Sequence, residues 1–231
     1  MRVAVLSDVH GNAAALEAVL ADIRARGPFD RILNGGDLAF GGPRPREAVE
    51  RLMASGYPAV IGNTDEMVAA SSDGAAGELA AWARTRLAPE QVDWLRSLPR
   101  SQRVAPAGGP PLVLVHATPW STTDLIETES PEAMVARAFD QAGGRALVYG
   151  HIHIAYVREA AGGLIVNAGS VGMPFDGDPR AAWAVLTLAG GAWRAEIVRT
   201  EYDREAVARD LLTSGHPDAE TFARRIRTGR R

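Results

Sequence analysis

Three short strand-like runs in the first part of the chain, residues 3–6, 31–34 and 58–61, each lead directly into a segment of glycine and polar residues. Helical patterns fill the intervals between them. Val3-Ala4-Val5-Leu6 is continuously apolar and ends at Ser7-Asp8, as expected of a strand buried on both faces. Residues 12–26 then carry apolar side chains at helical spacing until Gly27-Pro28 stops them, and residues 46–54 read as a second helix. Strand and helix alternating at such short intervals imply right-handed crossovers and a parallel sheet covered by helices.

From residue 66 to 98 the pattern is helical, with Trp82, Leu87, Trp94 and Leu98 as expected buried anchors. Strands are expected at 102–105 and 112–115, joined across Gly108-Gly109-Pro110-Pro111. A loop over 122–131 leads to a helix over 131–142. Strands follow at 146–149, 156–159, 164–166, 182–188 and 193–198, and helices over 203–213 and 219–226 close the chain. No internal repeat or interdomain linker interrupts this order. The 231 residues are enough for a full core. The expectation is one α/β domain spanning residues 1–231, with two packed sheets flanked by helices.

A net charge of −3 does not advertise nucleic acid or an anionic membrane as a partner. The one basic concentration, from Arg224 to Arg231, reads as a solvated helix face. There is no cysteine, which excludes disulfides and thiolate metal sites. The apolar run at the amino terminus is too short for a signal peptide or a membrane span, so a cytoplasmic protein is expected.

Chemistry concentrates at strand ends. Asp8-Val9-His10, Gly35-Gly36-Asp37, Gly62-Asn63, Val115-His116-Ala117 and Gly150-His151-Ile152-His153 each follow a predicted strand. In α/β sheets the crevice outside the carboxyl ends of strands is where ligands bind, so five such ends can converge while distant in sequence. Singly, each segment is as easily a helix cap or a turn. Gly-His-x-His says more, because alternate residues of an extended segment present two imidazoles on one side. Of five histidines, only His216 lies outside the pattern.

Imidazole and oxygen donors without thiolate suit divalent ions of the manganese, iron and zinc kind. One carboxylate can bridge two such ions roughly 3.5–4 Å apart. Two ions against two aspartates leave a positive site that favours an anionic phosphate ester. They also supply a metal-activated hydroxide at neutral pH.

The series Asp-x-His, Gly-Gly-Asp, Gly-Asn-x-Asp, a lone histidine and Gly-His-x-His, in this order, resembles the calcineurin-like metallophosphoesterase superfamily. The resemblance runs from residue 3 to about residue 171. A closer likeness to small prokaryotic phosphodiesterase-type members continues through Asn167-Ala168-Gly169-Ser170-Val171-Gly172-Met173-Pro174 and Asp176-Gly177-Asp178-Pro179-Arg180. It implies a four-layer αββα sandwich of two mixed sheets flanked by helices, with a dimetal site at the C-terminal ends of strands. By the same likeness Asp8, His10 and His153 would hold one metal, Asp37 would bridge, and Asn63, His116 and His151 would complete the other. Asp37, Asn63, His116 and His151 would also serve catalysis. Two manganese ions are favoured, with iron, zinc, nickel or cobalt also admissible.

Two departures narrow the expectation. Many members carry Gly-Asn-His-Asp or Gly-Asn-His-Glu, whose histidine assists the leaving group or orients the phosphate. Here the segment is Gly62-Asn63-Thr64-Asp65. General acid help is worth roughly 10²–10⁴-fold, and a threonine cannot supply it as imidazolium does. Small phosphodiesterase-like members tolerate this replacement, which tilts the expectation towards phosphodiesters such as nucleotide derivatives. Thr64 and Asp65 also read simply as the cap of a following helix. His216 reads as a loop histidine. The Gly-Asp-x-x-Asp-Arg-Gly of protein phosphatases is absent after Gly36-Asp37.

The glycine-rich 167–172 stretch reads as a tight turn supporting the metal loops, and Arg44, Arg46 and Arg180 as solvated. Competing expectations are a phosphomonoesterase on small metabolites and a non-catalytic scaffold, a use the fold serves in a retromer subunit. A nuclease like the superfamily's double-strand-break repair enzymes would need a capping domain and a basic surface. The expected partner is a small phosphate ester, with no stable nucleic acid, no membrane, and a homo-oligomer admissible.

Overall fold

The computed structural model describes residues 1–70 and 75–231. Its first sheet is built from β1 (Arg2–Leu6), β2 (Arg31–Asn34), β8 (Ala181–Ala189) and β9 (Ala192–Thr200), in the order β2-β1-β8-β9. The second holds β3 (Ser101–Val104), β4 (Leu112–Val115), β5 (Ala146–Tyr149), β6 (Tyr156–Ala160) and β7 (Gly163–Asn167), in the order β3-β4-β5-β7-β6. Both are mixed. β1 runs parallel to β2 but antiparallel to β8, and β5 is parallel to both β4 and β7.

Alternation along the strands explains the stacking of layers. Val3 and Val5 of β1 meet Leu112, Leu114, Ala146 and Val148 in the core between the sheets. Ala4 and Leu6 turn the other way, onto Leu16, Leu20 and Val49 of α1 (Ala13–Arg26) and α2 (Pro45–Ser55). On the far side, Val113, Leu147 and Tyr149 pack against Val135 and Phe139 of α6 (Glu132–Ala142). The result is helix, sheet, sheet, helix. Each such fully buried side chain contributes roughly 1.5–3 kcal/mol. A fourth apolar cluster gathers α7 (Arg204–Thr213) and α8 (Ala219–Thr228) around Phe222, Met173 and Phe40.

Helix ends follow local chemistry and also anchor the site. Asn12 caps α1 by accepting from the Ala15 N–H at 3.1 Å, and its amide donates to the Gly172 carbonyl at 3.0 Å. α2 starts on Pro45 at its first turn and stops at left-handed Gly56.

Two expectations need correction, the 58–61 strand and the burial of Trp94 and Leu98, and the helical 66–98 stretch gains detail. Residues 58–61 form no strand, only a single bridge between Asn34 and Ala59. Pro58 has no N–H to extend a ladder, and the Ile61 N–H turns away to the Pro99 carbonyl at 2.9 Å. The 66–98 stretch is three helices, α3 (Asn63–Ala69), α4 (Ala75–Arg84) and α5 (Pro89–Ser97), with residues 71–74 outside the described ones. Pro89 opens α5 because it lacks the N–H that a continuous helix would require. Trp82 and Leu87 are buried, whereas Trp94 and Leu98 are half-buried and pack on the core's rim. Among the described residues, no helix is long and apolar enough to cross a membrane.

Candidate metal centre

All seven candidate ligands come together at one edge of the sheets. Asp8 and His10 follow β1, Asp37 follows β2, His116 follows β4, and His151 and His153 follow β5. Asn63 begins α3.

Backbone conformation marks the same residues. Asp8, His10, Asp37, His151 and His153 all adopt positive φ, between 52 and 63°. Among the described residues the only other non-glycine to do so is Ala161, in the β6–β7 turn. Each such residue costs on the order of 1–3 kcal/mol and persists only where its surroundings over-determine it. Here the surroundings are hydrogen bonds between the loops. The Asp8 N–H donates to Gly36, the His10 N–H to Asp37 and the Gly172 N–H to Asp8, each at 2.9 Å. Two glycines make the convergence sterically feasible. A Cβ on Gly150 would lie 1.9 Å from Asp8 Oδ2, and one on Gly62 would lie 2.1 Å from Asp37 Oδ1.

The donors divide into two sets. In the first, Asp8, His10, Asp37 and His153 are all buried, with one ligand atom each within 4.8 Å of the others. His153 Nε2 is 3.1 Å from Asp8 Oδ1, and His10 Nε2 is 3.6 Å from Asp37 Oδ2. In the second, Asn63 Oδ1 lies 2.9 Å from His116 Nε2 and 3.0 Å from His151 Nδ1. Asp37 reaches both: its other oxygen, Oδ1, is 3.5 Å from His116 Nε2 and accepts from the Thr64 N–H at 2.9 Å.

Hydrogen bonds on the outer ring nitrogens settle what the inner ones can do. His10 Nδ1 donates to the Phe40 carbonyl at 2.7 Å, His116 Nδ1 to Gly35 at 2.8 Å and His153 Nδ1 to Met173 at 2.6 Å. His151 is turned round, donating from Nε2 to Thr123 at 3.2 Å. A carbonyl only accepts, so each outer nitrogen carries a proton and, in the neutral ring, each inner nitrogen presents a bare lone pair. The His10 and His153 Nε2 atoms nevertheless lie 3.0 Å apart. Two lone pairs and two carboxylates facing one another with no donor between them fit a bound cation. The nitrogen and oxygen donor set suits a divalent transition ion.

Electrostatics follow the same division. Burial pulls His10 down to about 4, assisted by His153 and opposed by Asp37 and Asp8. Burial also lowers His151, with His116 adding to the effect. Burial alone would lower His116, but the Asp37 and Asp8 charges raise it. Asp8 is desolvated, yet His153, His116 and His10 together hold it far below the usual carboxylate range.

Sequence reasoning missed the weight carried by Asp65. As expected, it caps α3 by accepting from the Gly62 N–H at 3.0 Å. It also accepts from the Asp37 and Leu38 N–H groups, each at 2.8 Å, and so fastens the bridging loop to the Asn63 loop. Burial and the nearby Asp37 charge push its carboxyl up to about 7. Its place three residues after Gly62 fits a cap as well, so the sequence alone held no separate signal.

The Thr64 hydroxyl beside it is buried and without a partner. Asn167 and Ser170 act as struts, their side chains donating to the Gly150 carbonyl at 2.5 Å and the Asp8 carbonyl at 2.7 Å. Arg44 pairs with Asp210, Arg46 donates to the Arg86 carbonyl and Arg180 pairs with Asp178, so all three are engaged away from the centre. His216 lies in the loop between α7 and α8, as expected, and is buried there: it meets Trp82 edge-on at 4.7 Å and Phe222 at 4.8 Å. A cavity of about 560 Å³ lined by Arg145, Glu159 and Trp193 opens at the other ends of the strands and includes no candidate ligand.

Known proteins resemble the chain over almost its full length. A crystallised metallophosphoesterase of Sphaerobacter thermophilus is 30% identical, with 99% of each chain covered and a TM-score of 0.77. The hypothetical protein PH1004 of Pyrococcus horikoshii shares the fold, with a TM-score of 0.83, 19% identity and coverage of 99% and 98%. The uncharacterised protein MJ0912 of Methanocaldococcus jannaschii is 29% identical, with 94% of each chain covered. The family model of the calcineurin-like phosphoesterase superfamily domain matches residues 1–191, the segment that carries every candidate ligand, and the chain belongs to that superfamily.

Proposed function

We propose that the chain hydrolyses phosphate esters, and within that class phosphodiesters such as nucleotide derivatives, at two divalent ions with manganese favoured. The observation that carries the reading is Asp37, whose two carboxylate oxygens face the two separate sets of bare donors. Asp8, His10 and His153 would hold one ion, and Asn63, His116 and His151 the other, with Asp37 shared. Ions so held would supply Lewis acidity and an activated water nucleophile at neutral pH.

The chain's own groups set the remaining steps. Four backbone carbonyls fix the tautomer of the imidazoles and aim their other nitrogens inward. His116 and His151, on the less buried side, would steady charge developing on the phosphoryl oxygens through the ion they would hold. Thr64 stands at the edge of the second set, where its neutral hydroxyl cannot deliver a proton as an imidazolium would. That supports substrates whose leaving group departs without strong acid assistance, as activated diesters do.

The test is to strip the protein of metal, restore Mn²⁺, and compare bis-p-nitrophenyl phosphate with p-nitrophenyl phosphate, using Asp37→Ala as control. Mn²⁺-dependent turnover of the diester that vanishes in the variant is expected. Preference for the monoester would make the protein a phosphomonoesterase. No turnover of either ester with any of several metals would reject a catalytic role.

A further inference from the structure

The C-terminal helices lie beyond the matched family segment, yet they wall one side of the metal centre. Two aromatic residues join that wall to the candidate ligands. Phe40, whose carbonyl holds His10, meets Phe222 of α8 edge-on at 6.3 Å. Phe175 stacks on His153 with ring centres 4.6 Å apart and planes 17° from parallel. The loop carrying Phe175 is tied to the end of α8 by the Gly177 N–H, which donates to the Gly229 carbonyl at 2.9 Å.

Two arginines gather at these same rings. The Arg225 guanidinium carbon lies 4.9 Å from the Phe222 centroid and 5.9 Å from that of Phe175, and the Arg231 carbon lies 5.4 Å from Phe175. Three other arginines nearby are paired. Arg227 binds Glu205 through Nε and a terminal nitrogen, Arg199 pairs with Asp176, and Arg180 pairs with Asp178. Arg225 differs: among the described residues its buried Nε has no partner. Burial depresses its charge, Arg224 and Arg231 repel it, and Asp218 offsets them only in part. A half-buried guanidinium that the fold compensates only in part, one aromatic ring from a metal ligand, is set to receive an anion through its two terminal nitrogens.

We propose that Arg225, with Arg231 beside it, binds a second phosphate group of the substrate, set apart from the ester phosphate at the metal centre by the Phe175 ring. The inference rests on the phosphoesterase reading and deepens it. The substrate class becomes small esters that carry an additional phosphate. Arg44, Arg46 and Arg180 leave this role open, since each is already engaged elsewhere.

The test is calorimetric titration of the Mn²⁺-loaded protein with adenosine 5′-monophosphate and adenosine 3′,5′-bisphosphate, for the wild type, Arg225→Gln and Arg225→Lys. The wild type is expected to bind the bisphosphate about 10-fold more tightly, the size of one charge-assisted bidentate contact. Arg225→Gln should abolish that preference while changing monophosphate affinity less than about 3-fold. Arg225→Lys keeps the charge but not the fork, and should retain part of the preference. It also serves if Arg225→Gln proves unfolded by its melting curve.

Equal binding of both nucleotides by the wild type overturns the inference. So does a variant that loses both equally, or a lysine variant with the full preference. If bis-p-nitrophenyl phosphate is still turned over while the preference is absent, the inference alone fails. If no ester is turned over and neither nucleotide binds, the phosphoesterase reading fails with it.

Discussion

The two halves of the metal centre share Asp37 but are held in place by different means. Asp8, His10 and His153 are at most 4% exposed and lie between the β1 loop, the 167–175 loop and the C-terminal helices. In the other half His116 is equally buried, but Asn63 and His151 are half-exposed. The outer nitrogen of His151 rests on Thr123, in the loop that leads to the exposed Leu125. One half is therefore positioned by packed backbone and the other partly by a surface loop. Rigidity and access are divided between the two sets of candidate ligands: the first suits retention, the second suits entry of a substrate.

The largest effect is expected where the halves meet. Asp37→Ala removes a ligand from both, so activity should fall by roughly 10³-fold or more, and metal analysis should show loss from both positions. Retention of two ions by this variant would sink the bridging role.

The next experiment contrasts His153→Ala with His151→Ala. The first opens a gap beside Phe175 and Asp8 and should lower both metal content and melting temperature. The second should leave the melting temperature nearly unchanged while lowering kcat by roughly 10²-fold. Equal thermal shifts would erase the distinction between the halves.

The convergence of these residues was legible in the sequence, while their division into two sets came only from the family resemblance, and the reason for the convergence is local. Each ligand follows a short apolar run, and a strand's carboxyl end points its next residues into the crevice. The runs at 3–6, 31–34, 112–115 and 146–149 became strands, so the placement of Asp8, Asp37, His116 and His151 followed. The run at 58–61 did not, yet Asn63 still arrives, because one bridge to Asn34 and the start of α3 suffice to aim it. What the sequence concealed depends on contacts between distant segments. Nothing around Asp65 distinguishes a helix cap from a clasp on residues 37 and 38. Nothing around Arg225 distinguishes a solvated helix face from a guanidinium lodged against Phe222. Similarly, Trp94 has helical spacing but sits where α5 meets solvent, so periodicity overstated its burial.

Asp65→Asn probes that hidden clasp with a smaller expected effect. Asp65 Oδ2 accepts from both Asp37 and Gly62, and an amide NH₂ in its place would leave two buried N–H donors without a partner. A stability loss of roughly 2–5 kcal/mol is expected from that mismatch. Because the clasp orients Asp37, metal affinity should also fall by about 10–100-fold, as for other groups that orient a ligand. Both metals should weaken together. Weakening confined to one would place Asp65 in a single half.

The smallest effect concerns a histidine outside both halves. His216 is buried against Trp82 and Phe222, and burial lowers it to about 4. The unfolded chain therefore takes up a proton near pH 6.5 that the folded chain refuses until about pH 4. This residue costs no stability above pH 6.5, and its destabilising effect grows as pH falls from 6.5 to about 4, reaching up to about 3 kcal/mol.

His216→Phe removes that penalty but loses the hydrogen bond its Nδ1 accepts from the Asp218 N–H at 3.1 Å. At pH 7 the variant should be less stable by about 1 kcal/mol. At pH 4.5 it should be more stable than wild type, with the crossing visible in urea midpoints. His10 also sits near 4 and remains in the variant, so some acid sensitivity should persist in the metal-free protein. A variant whose midpoint falls in parallel with wild type would remove His216 from the acid response and leave His10 and His151 of the metal centre as its first candidates.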